Sequence, residues 1–138
     1  MALTARYLAD KSALARFPHP VVVRRLRPLL EDGLIATCAI VDLEVLYSAR
    51  SLDDYEAILE ERRALDDAPI TPEVLTRAIE IQHALARRGQ HRVAIPDLII
   101  AAAAETTALI VLHYDADFER IAEVADVAHE WVAPRGSI

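Results

Sequence analysis

The chain has 138 residues, 54% of them hydrophobic and 27% charged, and carries a net charge of −7 at neutral pH. That length suits one domain, and so large an apolar fraction excludes an intrinsically disordered chain. The acidic balance excludes a protein that grips nucleic acid through a general positive field, and no apolar run approaches the roughly 20 residues of a membrane helix.

Residues Ala5 to Ala9 read as a short buried strand, after which Ser12 is placed to cap a short helix through Phe17. His19-Pro20 restarts a helix with Val21, Val22, Leu26, Leu29 and Leu30 apolar, and Gly33 ends it. Leu34 to Thr37 form a second strand that runs straight into a helix reaching about Ala49. Leu52 to Leu65 show helical periodicity with many charges, the pattern of a surface helix. Ala68 to Ile70 are expected as a short third strand, and Thr71-Pro72 open a helix that closes at Gly89. Pro96 opens a further helix to about Ala108, Leu109 to His113 form a strongly apolar strand, and Val127 to Val132 form a last one. Strands alternating with helices predict a three-layer α/β/α sandwich with a mainly parallel sheet, one domain over residues 1–138. No basic-then-apolar leader opens the chain, so a cytoplasmic location is expected.

The chemistry has to come from carboxylates. Cys38 is the single cysteine, which excludes an internal disulfide and a thiolate-rich zinc site. The five histidines are scattered, with no pair at metal-ligand spacing. Acidic residues, by contrast, recur where strands meet helices. Asp10 follows the first strand, Asp97 stands in the first turn behind Pro96, and Asp115 and Asp117 leave the strand that ends at His113. In parallel sheets the carboxyl ends of strands form the site, so these positions can converge. Each also has a plain structural role open to it, as a helix cap, a dipole partner or an acidic turn. Asp42 and Glu44, two residues apart on one helix, point to nearly opposite sides, and periodicity does not choose between them.

Four segments resemble, in order, the acidic elements of PIN-domain proteins. They are Tyr7-Leu8-Ala9-Asp10-Lys11-Ser12, Thr37 to Tyr47 with Leu43-Glu44-Val45, Ile95-Pro96-Asp97-Leu98 through Ala104, and Leu112-His113-Tyr114-Asp115-Ala116-Asp117-Phe118. Their spacing over essentially the whole chain is similar to that of the VapC toxins of VapBC toxin–antitoxin systems. Lys11 departs from the pattern, since many members carry threonine there. The resemblance selects Glu44 over Asp42. It implies a Mg²⁺- or Mn²⁺-dependent endoribonuclease, neutralised by a VapB-type antitoxin and forming a homodimer.

In that reading Asp10, Asp97 and Asp115 hold the principal ion, with Asp117 and Glu44 bound directly or through water, and Glu44 positions or deprotonates the attacking water. Electrostatics agrees with a metal. Four ionised carboxylates about 5 Å apart would repel by roughly 3 kcal/mol per pair at an effective dielectric near 20, on the order of 20 kcal/mol in all. A domain stable by about 5–15 kcal/mol cannot carry that without protons or a cation. An all-oxygen donor set favours Mg²⁺ or Mn²⁺ over zinc.

Ser12 either hydrogen-bonds near Asp10 or a phosphate, or caps its helix. Arg16, Arg87, Arg88 and Arg92 are candidates to guide the RNA backbone, although Arg87 and Arg88 also suit a helix C-terminus. Phe17, Pro18, Val21, Val22 and Val23, with the helix from Asp53 to Leu65, are expected to line a groove for an antitoxin helix, the alternative being that the valines are ordinary core. Two other functions compete. Asp115-Ala116-Asp117 suggests a haloacid-dehalogenase-like Mg²⁺ phosphatase, but that motif belongs after a first strand. A catalytically inactive PIN-like binding module is the other.

Overall fold

A computed structural model describes residues 4–138. The elements run β1 (Tyr7–Ala9), α1 (Lys11–Leu14), α2 (Pro20–Glu31), β2 (Ile35–Thr37), α3 (Ala39–Tyr47), α4 (Leu52–Arg63), β3 (Asp66–Asp67), α5 (Pro72–Ala86), α6 (Ile95–Thr107), β4 (Ile110–His113), α7 (Asp117–Ala122) and β5 (His129–Trp131). The strands form one sheet in the order β3-β2-β1-β4-β5, and every pairing is parallel. All strand carboxyl ends therefore open on the same edge.

Strand alternation sorts the core into two layers. Leu8, Ala36 and Val111 lie side by side in register and face α3, α5 and α6, whose buried residues include Val41, Ile81, Leu85 and Ile100. Ala9, Ile35 and Leu112 face the other way, against Ala13 of α1 and Val22 and Leu26 of α2. The expected α/β/α sandwich is what forms. The alanine run Ala101 to Ala104 of α6 is fully buried, and small side chains there let the helix lie close to the sheet. Among the described residues no helix is long and apolar enough to cross a membrane.

Several expectations need correction. Asp10, not Ser12, caps the first helix: its side chain accepts the Ser12 N–H, and the helix is a single turn. Val22 is completely buried, so it belongs to the core rather than to a groove. The third strand lies at Asp66–Asp67, two residues before the apolar segment read as a strand. Ala68 is buried and its N–H still donates to the Thr37 carbonyl, but the paired residues are the aspartates. Charged residues suit an edge strand, where they discourage further pairing.

Candidate active site

At the carboxyl edge of the sheet, β1 and β4 are adjacent and their exits are tied together. The Asp10 N–H donates to the Leu112 carbonyl (2.9 Å). Asp10 Oδ2 accepts from the Ser12 N–H (3.0 Å) and the Ser12 hydroxyl (2.6 Å). The same hydroxyl accepts the Tyr114 N–H at 2.8 Å. One serine thus couples the first acidic residue to the loop carrying Asp115. In that loop Asp115 Oδ1 accepts the Asp117 N–H (2.9 Å), fixing the start of α7.

From α6, Asp97 projects into this acidic edge and is nearly buried, 6% exposed. Carboxylate oxygens of Asp97, Asp115 and Asp117 all lie within 4.8 Å of one another. Asp97 Oδ2 is buried without a hydrogen-bond partner, and so is Glu44 Oε1. Burial, then the Asp10 and Asp115 charges, push the Asp97 carboxyl up to about 9. Asp10 is also raised, chiefly by burial, against the lowering effect of its Ser12 hydrogen bonds. Glu44 is raised by burial and by the Asp10 charge, while Lys11 opposes the shift. The five acidic side chains are thus linked: Asp97 to Asp10, Asp115 and Asp117, and Asp10 in turn to Glu44.

Two orphaned carboxylate oxygens in a cluster of like charges are costly to folding unless a proton or a cation satisfies them. The donors are all hard oxygen, which suits a small divalent cation. Asp42 takes no part. Its Oδ1 accepts from Thr37 Oγ1 (2.7 Å) and from Arg62 Nε (2.9 Å), a buried knot that joins α3, α4 and the end of β2.

Comparison with known proteins shows the family of the chain and the likeness of its fold. The PIN domain family model matches residues 9–124. Over 137 residues the chain is 50% identical to Ribonuclease VapC21 of Mycobacterium tuberculosis, covering 98% of this chain and 99% of that one. The chain belongs to the VapC family of PIN-domain ribonucleases. Ribonuclease VapC51 of the same organism is 43% identical over 136 residues, with 99% of each chain covered. The solved structure of DNA-bound VapBC from Salmonella typhimurium matches with a TM-score of 0.74 at 18% identity, over 94% of this chain and all of that one, a likeness of fold. VapBC-5 from Mycobacterium tuberculosis matches with a TM-score of 0.61 at 25% identity, over 92% of this chain and 97% of that one.

Around the acidic edge of this VapC-family domain the arginines divide. Arg16 stacks over Tyr114, 4.3 Å from the ring centroid, and donates to the Ser12 carbonyl (2.8 Å). Arg92 is exposed and, with Gln90, Val93 and Arg120, outlines a small recess. Arg88 pairs with Glu123 across to α7 (2.8 Å), a structural use. Arg120 was not singled out in the sequence, yet it donates to Asp117 Oδ1 at 2.6 Å. Its signal was the three-residue spacing from Asp117 on one helix. Also missed were His113 and His129, which meet at 2.8 Å behind the Asp115 loop. They are 16 residues apart, and only the β4–β5 register, pairing Val111 with His129, brings them onto one face.

Between α1–α2 and α3–α4 runs a largely apolar groove of about 400 Å³, lined by Leu14, Phe17, Leu30, Val45, Ile58 and Leu65, with Glu61 and Arg62 also on its wall. Phe17 and α4 are its members from the expected set.

Proposed function

We propose that this VapC ribonuclease cleaves RNA phosphodiester bonds at the Asp10–Glu44–Asp97–Asp115–Asp117 cluster, using Mg²⁺ or Mn²⁺. The observation that carries the reading is the buried, unpartnered Oδ2 of Asp97 amid three other carboxylates. Asp97, Asp115 and Asp117 would hold the cation most directly, with Asp10 completing the set. When bound, the cation supplies Lewis acidity to the scissile phosphate and the attacking water. The protein's residues do the rest. Glu44, with one oxygen free and its affinity for protons raised, orients the water and accepts its proton. The serine bridge from Asp10 to Tyr114 holds the acidic edge rigid. Arg16 and Arg92 engage the RNA backbone, Ser12 being occupied by its bridge and acting on the RNA only through it.

The activity is expected in the cytoplasm, under control of a VapB-type antitoxin whose apolar helix seats in the groove lined by Phe17 and Ile58. The phosphatase reading is not favoured, because Asp115-Ala116-Asp117 follows the fourth strand rather than the first. Incubating total RNA with the protein tests the function. Cleavage that requires Mg²⁺ and is lost in Asp10→Asn is expected; equal cleavage in chelator, or by that variant, would refute it.

A further inference from the structure

His113 lies completely buried at the end of β4, two residues before Asp115, its ring packed against Phe118, His129 and Trp131 at centroid distances of 4.9–5.0 Å. Its Nδ1 stands 3.1 Å from the Asp115 N–H, which is always a donor. Nδ1 must therefore be the unprotonated nitrogen, and the single proton of the neutral ring sits on Nε2. Nε2 is 2.8 Å from His129 Nδ1 and donates to it. The chain of donors has one consistent direction: Asp115 amide to His113, His113 to His129.

This arrangement differs from a buried histidine whose polar atoms are merely satisfied. The loop from Tyr114 to Asp117 is held by side chains at three of its four amides. Ser12 takes the Tyr114 N–H, His113 takes the Asp115 N–H, and Asp115 itself takes the Asp117 N–H. The middle contact sets where the Asp115 backbone lies, hence where its carboxylate points. His129 keeps the His113 ring in the one tautomer and orientation that can accept there, and the aromatic cage prevents rotation. We propose that His113, held by His129, is a positioning residue that aims the Asp115 carboxylate into the acidic cluster.

The proposal rests on Asp115 being a cation ligand, and its test separates the two claims. Mn²⁺ affinity is measured by electron paramagnetic resonance, and exchange of the Asp115 amide is measured without metal. His113→Phe fills the space but offers no acceptor. It is expected to leave the Asp115 amide unprotected and to weaken Mn²⁺ about tenfold or more, the usual effect of losing a ligand's support. His113→Asn keeps an acceptor at the position of Nδ1 and is expected to restore protection and most of the affinity. If His113→Phe does not fold, His113→Gln carries the same test, because its polar group reaches toward His129 instead of Asp115. Full Mn²⁺ affinity and amide protection in a folded Phe or Gln variant would overturn the proposal, as would an Asn variant as weak as these. Failure of the wild type to bind Mn²⁺ better than Asp115→Asn would refute the site reading, while amide exchange would still report the clamp.

Discussion

At the scale of single residues, Asp97 sets folding against function. Its carboxyl, normally near 3.8, titrates at about 9 in the folded metal-free protein. The folded state therefore holds a proton that the unfolded chain releases, so this contribution is full below the ordinary carboxylate range and is lost as pH rises through about 9. His113, lowered to about 4 by burial and by His129, has the opposite slope, but only between about 4 and 6.5. Above pH 6.5 the His113 effect is spent, and the raised acidic groups, Asp97 foremost with Asp10 and Glu44 in the same direction, set the slope. Calorimetry in chelator should show the wild-type Tm falling from pH 6.5 to 9 and Asp97→Asn more stable at the alkaline end with a flatter profile. A variant clearly less stable than wild type throughout would mean that Asp97 serves mainly as a helix N-terminal charge. Asp10, Asp97, Asp115 and Asp117 were legible in the sequence because each follows a strand or opens a helix, whereas Glu44, inside α3, was selected only by the family resemblance. What joins them was not legible. The Ser12 hydroxyl meets the Tyr114 amide 102 residues further along the chain, and the histidine pair depends on strand register, which local pattern does not encode.

At the scale of elements, α4 shows how a charged helix is anchored. Most of its residues are exposed, and its periodicity marks a surface helix, yet Arg62 is 8% exposed and reaches Asp42 and Thr37. Arg62→Ala would leave the Asp42 carboxylate with Thr37 as its one side-chain donor and open a gap under α4, costing about 2 kcal/mol, the range for a hydrogen bond to a charged group. Urea unfolding measures this; a loss below about 0.5 kcal/mol would show the pair to be a surface contact. The sequence revealed α4 but not the arginine that docks it, since a basic residue in a last helical turn has an ordinary dipole role. β3 was misplaced for a related reason. An apolar run signals burial, and Ala68 is buried, but the ladder forms at Asp66, whose carboxylate also accepts the Ala5 N–H and the Thr4 hydroxyl. The end of α6 was legible near Ala108 even without glycine, although Ala108 takes the left-handed conformation (φ 56°) that glycine adopts more readily.

At the scale of the whole molecule, parallel strands send every chemical group to one edge and leave the helical faces for partners. The groove beside α4 is apolar at Phe17, Val45 and Ile58 and is expected to receive the antitoxin. Ile58→Asp should leave the fold intact and weaken antitoxin binding tenfold or more, about 1.4 kcal/mol; unchanged affinity in calorimetric titration would place the antitoxin elsewhere. A second face lies on α5 and α6, where Leu75, Ile79 and Ile95 are 44–66% exposed around Gln82 with no charged side chain among them. A neutral face is where two copies of a chain with net charge −7 can approach, and it is the expected homodimer contact. Ile79→Glu should shift sedimentation to the monomer; a dimer that persists would exclude this face.

The most direct test of the acidic cluster as the cation seat is Mn²⁺ titration, followed by electron paramagnetic resonance, of the wild-type protein and Asp97→Asn. Saturable binding in the wild type, weakened at least tenfold in the variant, is the predicted result. Equal affinity in the two proteins would contradict it, because the buried oxygen that calls for a cation would then hold none.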